Sequence, residues 1–88
     1  MRILNQDRDK FYNVTKVFYK RQNYRGKLVG WNIYGEIGTF RKCFLGTYDT
    51  EADAISTVNE INAMIRNNCE YGKMPELISF EFEEMLEN

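Results

Sequence analysis

The hydrophobic period of the chain changes inside one stretch, FRKCFLGTYDTEADAISTVNEI, residues 40–61. Up to Gly46 the pattern is that of a strand, with Phe40 and Phe44 on one side of the pleat and Cys43 and Leu45 on the other. Beyond Thr50 the apolar residues Ala54, Ile55, Val58, Ile61 and Ile65 fall at helical spacing. Thr50 is a good N-cap, and Asp53 three positions later resembles a capping box with Asp in place of Glu. Glu51 and Asp53 place negative charge in the first turn, where the helix dipole favours it. The spacing predicts a helix over 51–67, stopped at Asn67 and Asn68. A strand that passes into a helix this abruptly leaves little choice but to lay that helix across its own sheet.

The rest of the sheet is read upstream. In LVGWNIYGEI, Val29, Trp31, Ile33, Gly35 and Ile37 share one face, predicted to point at the core, while Asn32, Tyr34 and Glu36 point outward. Gly35 marks a bulge or admits a ring from a neighbouring strand. The run FYNVTKVFYKR, residues 11–21, has the β-branched and aromatic content of a strand, and Arg2 to Asn5 suits a short additional one. QNYRG and GEIGT read as turns. The expected fold is α+β: an antiparallel sheet of three strands, or four, packed against one main helix. It forms a single domain over 1–88, with sheet 11–46, helix 51–67 and a C-terminal segment 75–87. NCEYGKMPE reads as a linker carrying the only proline. After it, Ile78, Phe80 and Phe82 alternate as in a strand, whereas Ile78, Phe82, Met85 and Leu86 form a helical stripe; Pro75 and Glu76 at a helix start favour the short helix.

Composition narrows the function. With 88 residues, a core of modest size is compensated by six Phe, six Tyr and one Trp. No stretch approaches the roughly eighteen apolar residues of a membrane span, and MRILNQDRDK lacks the character of a signal peptide. The expectation is a soluble protein of the bacterial cytoplasm, with no membrane partner. Cys43 and Cys69 have no CxxC spacing and the chain has no histidine, so zinc is not expected and two free thiols are. Without histidine, a general base would have to be a shifted carboxylate, lysine or cysteine. Cys43 beside Lys42 is the nearest candidate, since the cation would lower its pKa, but a mid-strand cysteine ordinarily belongs to the core. Gly30, Gly35 and Gly38 are followed by no helix and form no GxGxxG or GK[ST] pattern, so they read as turn and bulge residues. No enzyme, catalytic residue, metal or cofactor is expected.

Charge is divided unevenly along the chain. Residues 1–47 hold ten Lys or Arg against three acidic residues, and residues 48–88 hold two against ten. Two differently charged surfaces would steer different partners; the plainer alternative is mutual neutralisation within the fold. The basic set is Arg25, Lys27, Arg41 and Lys42, with Tyr34 available to stack or wedge. The acidic set is Glu76, Glu81, Glu83, Glu84 and Glu87, which could compete with nucleic acid for a basic channel or simply form a solvated helix face.

NYRGKLVGW followed by FRKCFLGTYDTEADA resembles the Apetala-type DNA-binding domain of plants and its phage relatives, and the arm-binding domain of tyrosine recombinases. The matching residues are Tyr24, Arg25, Gly26, Trp31, Leu45, Gly46, Thr47, Asp49 and Ala54, about a third of the chain. That resemblance implies a three-stranded sheet presented to duplex DNA, although the outward Asn32, Tyr34 and Glu36 depart from the denser arginine of those families. Over more of its length the chain is similar to small uncharacterised proteins of Firmicutes bacteria and their phages. The resemblance rests on Ile3, Asn5, Gln6 and Asp7, on Leu45 to Asp53, and on Tyr71, Met74, Pro75 and Glu76. It implies a phage or mobile-element origin and makes capture of a host protein, such as a CRISPR or restriction nuclease, the leading expectation. Duplex DNA binding by the basic sheet is the alternative, and a self-associating structural protein the third; the oligomeric state is left open.

Overall fold

β-branched and aromatic residues fill the strands of the computed structural model, which describes residues 1–75. In chain order the elements are β1 (Arg2–Leu4), β2 (Phe11–Asn13), β3 (Lys16–Tyr24), β4 (Lys27–Glu36), β5 (Lys42–Tyr48), α1 (Glu51–Arg66) and β6 (Tyr71–Lys73). β3, β4 and β5 form an antiparallel sheet in sequence order. A second sheet has the order β2-β1-β6, with β1 antiparallel to β2 and parallel to β6. The α+β class and the principal three-stranded sheet agree with the sequence reading. The C-terminal segment, apart from Pro75, lies outside the described residues.

Helix α1 starts as expected: the Thr50 side chain accepts from the Asp53 N–H at 3.1 Å, and Asn67 caps the other end. Its inward side buries Ala54, Thr57 and Ile61 against Val17, Trp31, Ile33, Leu45 and Tyr48. Ile3, Val14 and Met74 join the same core, so both sheets share it. Among the described residues no helix is long and apolar enough to cross a membrane.

Several expectations are corrected. The run 11–21 is not one strand: it breaks at Val14 and Thr15, where Val14 turns into the core and the chain crosses from one sheet to the other. Gly35 makes room for that crossing, because a Cβ there would stand 2.6 Å from a Val14 methyl; it admits a valine, not a ring. Gln22 to Tyr24 remain in β3, and the turn is only Arg25 and Gly26, both with positive φ (53° and 81°), the pattern of a two-residue hairpin turn. Val29 is 49% exposed, because the ladder shifts opposite Gln22 and Asn23 and takes Val29 out of phase with Trp31. Phe40 precedes β5, with φ of 67° and 98% exposure. Thr57 takes the inward place expected for Ile55. The linker reading of 68–76 is also wrong: Tyr71–Lys73 pair with β1, and Met74 is fully buried.

Each edge of the principal sheet is capped at one residue by a side-chain carboxamide. At β3, Asn62 of α1 accepts from the Val17 N–H and donates to the Val17 carbonyl, both at 3.0 Å. At β5, Gln6 does the same to Thr47, accepting from its N–H at 2.9 Å and donating to its carbonyl at 3.0 Å. The Gln6 N–H also donates to the Leu45 carbonyl at 2.8 Å. Gly46 permits this approach, since a Cβ there would lie 2.7 Å from the Gln6 Cβ. Asn5, whose side-chain oxygen accepts from the Asp9 and Lys10 N–H groups, shapes the loop that delivers Gln6. The segments around Gln6, Gly46 and Met74 meet here: Met74 N–H donates to the Leu4 carbonyl, Arg8 to the Met74 carbonyl, and the Tyr48 hydroxyl to the Pro75 carbonyl.

Two outcomes are expected. Gln6→Ala and Gly46→Ala each lower stability by about 1–3 kcal/mol, the first through unpaired backbone groups and the second through overpacking. Because both break the same contact, the double variant loses less than the sum of the two in urea unfolding. Burial pushes the Tyr48 hydroxyl above the ordinary phenol value. The folded state therefore keeps this proton after the unfolded chain releases it near pH ~10. The associated stability is complete below that pH and is lost as pH rises through the folded value. Tyr48→Phe should flatten the alkaline decline measured by denaturant unfolding across that range.

Candidate functional site

The strand register sorts the outer face of the principal sheet, turned away from α1, into three rows. Lys16, Glu36 and Lys42 face one another across β3, β4 and β5; the next row is Phe18, Tyr34 and Phe44, and the third Lys20, Asn32 and Thr47. Alternation alone accounts for the first two rows. The third needs a bulge in β5, where Ile33 pairs with Gly46 and Tyr34 with Phe44, leaving Leu45 unmatched. That extra residue reverses the phase of the strand: Tyr48 enters the core and Thr47 reaches the outer face.

The central row is a continuous aromatic surface. The Phe18 and Tyr34 rings stack with centroids 5.8 Å apart and planes at 26°, and Phe44 meets Tyr34 edge-on at 5.8 Å. Phe44 is 49% exposed, and Phe18 and Tyr34 are half-buried by their neighbours. The Lys42 ammonium lies 5.6 Å from the centre of the Phe18 ring. A cleft of about 430 Å³ runs along this row, lined by Phe18, Lys20, Tyr34, Lys42, Cys43 and Phe44. Asn32 is buried on the same face and held at both polar atoms: its carbonyl oxygen accepts from the Thr47 hydroxyl at 2.7 Å and its amide donates to the Tyr34 hydroxyl at 3.2 Å. The Tyr34 ring is therefore braced from three sides.

The sequence-predicted basic set is divided by this geometry. Tyr34 and Lys42 stand on the outer face. Arg41 lies in the loop before β5, at the same end of the sheet as Lys42. Arg25 and Lys27 sit at the opposite end, on a two-stranded arm formed where β3 and β4 run past β5; Trp31 is the last β4 residue that pairs with β5. Glu36 and Lys27 are the two ends of β4, so the two groups of cations are roughly 30 Å apart along the strand. On the arm the Arg25 guanidinium lies 5.3 Å from the Tyr24 ring centre, and Arg21 packs over Trp31 at 5.5 Å. Sequence reading missed Phe18, Phe44, Lys16 and Lys20 as members of the site; the signal was their even-numbered spacing, which becomes a surface only once the register is known. Glu76, Glu81, Glu83, Glu84 and Glu87 lie outside the described residues.

Lys42 does not activate Cys43. The thiol points inward, and burial pushes its pKa up, outweighing a lowering hydrogen bond from Gly35. Both cysteines are free. Among the described residues no group of three or more His, Cys, Asp or Glu side chains is placed to hold a metal ion. Comparison with known protein families, curated proteins and solved structures returns no match.

Alkylation checks the placement of the thiols. In the native protein Cys69, which is partly exposed, should react with iodoacetamide well before Cys43, and denaturant should abolish the difference. Equal native rates, read by mass spectrometry, would contradict the inward orientation of Cys43.

Proposed function

We propose that this protein is a non-enzymatic binding module that captures nucleic acid on the outer face of the β3–β5 sheet. The observation that carries the reading is the row order: three exposed or half-exposed rings in line, with lysines in the rows on both sides. Cations attract the phosphate track and gain affinity by releasing its counterions, while rings give bases an apolar surface. Arg25 and Lys27 on the arm extend the positive surface beyond the sheet, and Arg41 extends it at the other end. The exposed acidic residues Asp49, Glu51, Asp53 and Glu60 belong to α1 and its approach, so their repulsion falls on the far side. A phage or mobile-element origin and a cytoplasmic place of action in a bacterial host are consistent with such a role and form part of the proposal.

Fluorescence anisotropy with labelled oligonucleotides tests it. Binding should weaken with salt, with a slope of log K against log salt of about −2 to −4.5 for roughly three to five phosphate contacts. Lys20→Gln and Lys42→Gln should each reduce that slope by about 0.7–0.9. No complex with single- or double-stranded probes at low salt would end the proposal. If the chain instead forms a stable assembly with a purified host defence nuclease, the inhibitor reading takes its place; that reading draws on the acidic residues beyond 75.

A further inference from the structure

We infer that the ligand class of this face is single-stranded nucleic acid, whose unpaired bases stack on the Phe18, Tyr34 and Phe44 row; this inference rests on the nucleic-acid reading above. The central strand is the first reason. A sheet that reads a duplex groove needs free donors and acceptors on its middle strand to reach the edges of paired bases. Here the middle strand offers Asn32, Tyr34 and Glu36. The Asn32 amide is buried and held by bonds to Thr47 and Tyr34, so it is not presented to a base edge in a groove.

The rings are the second reason. Paired bases expose their edges in the grooves, whereas unpaired bases expose π-faces that any aromatic side chain can stack against. The Phe18 and Tyr34 rings lie with centroids 5.8 Å apart and planes at 26°, and Phe44 meets Tyr34 edge-on, so the three form one contiguous aromatic surface on which a base can stack. The open cleft along it, about 430 Å³, leaves the rings accessible from the outer face. The rows holding Lys42 and Lys20 lie on opposite sides of the platform, each two residues or roughly 7 Å away along the strand. A base on the rings thus leaves its two flanking phosphates within reach of one lysine each. The hydrogen bond from Asn32 and the stacking partners hold Tyr34 in place before any ligand arrives, which lowers the ordering cost of binding.

The experiment compares four probes on the unaltered protein by anisotropy: oligo-dT and oligo-U of about 15 nucleotides, within the site sizes of such surfaces, a blunt hairpin duplex of matched charge, and an abasic strand of the same length. The inference expects oligo-dT or oligo-U to bind at least about tenfold more tightly than both the hairpin and the abasic strand. Phe44→Leu, at a half-exposed position, should weaken single-strand binding by about 5- to 150-fold and so narrow the gap between single strand and hairpin. Hairpin or abasic binding as tight as that of the single strands would overturn the inference while leaving the nucleic-acid reading intact. Failure of all four probes to bind would instead remove the reading on which it rests.

Discussion

The structure depends on two carboxamide side chains that stand in for missing strands. A three-stranded sheet has two edges whose backbone groups invite pairing with another chain. In this protein Asn62 caps one edge at Val17, and Gln6 caps the other at Thr47, each with a reciprocal donor and acceptor pair. Each amide is sterically and electrically the equivalent of one peptide unit. The Gln6 contact also carries a topological load, because it ties the loop after β1 to β5 and so joins the small sheet to the large one. Around it the Leu4, Arg8 and Tyr48 bonds to the Met74 and Pro75 carbonyls and N–H fix the end of the described chain.

The strand register gives the two faces of the sheet different work. The inner face carries Val17, Trp31, Ile33 and Leu45 onto α1, and the outer face keeps its rings and lysines. The bulge at Leu45 makes this division possible over the full width of β5. Without it, the strand would keep its earlier phase and turn Tyr48 outward and Thr47 into the core. Gln6 holds the backbone of that bulged segment, so a core-side contact also fixes the geometry of the outer row.

Local signals were legible in the sequence. The change of period at Thr50, the cap on Asp53 and the inward Trp31 and Ile33 all appear in the structure. What could not be read were events set by residues distant in the chain. β6 is three residues long and pairs in parallel with β1 some seventy positions away, so its own composition carries no strand signal. The roles of Gln6 and Asn62 are invisible for a related reason: an amide on a loop or helix looks like a solvent-facing residue until its strand edge is placed beside it. The segments around Gln6, Gly46 and Met74, far apart in the chain, come together through the Gln6 contact with Thr47 and the Leu4 and Arg8 bonds to Met74. For the site, Tyr34 and Lys42 were visible from alternation, but a line of rings across three strands exists only in the register. The split of the cations between the arm and the far end likewise follows from the hairpin length rather than from the charge count.

Amide hydrogen exchange in the native protein tests edge closure most directly. The Val17 and Thr47 N–H groups, though on edge strands, should be protected to a degree comparable with the interior amides of β4, and Asn62→Ala and Gln6→Ala should each release the amide they cover and leave the other protected. Exchange of both amides at the rate of open edge positions in the unaltered protein would contradict the account.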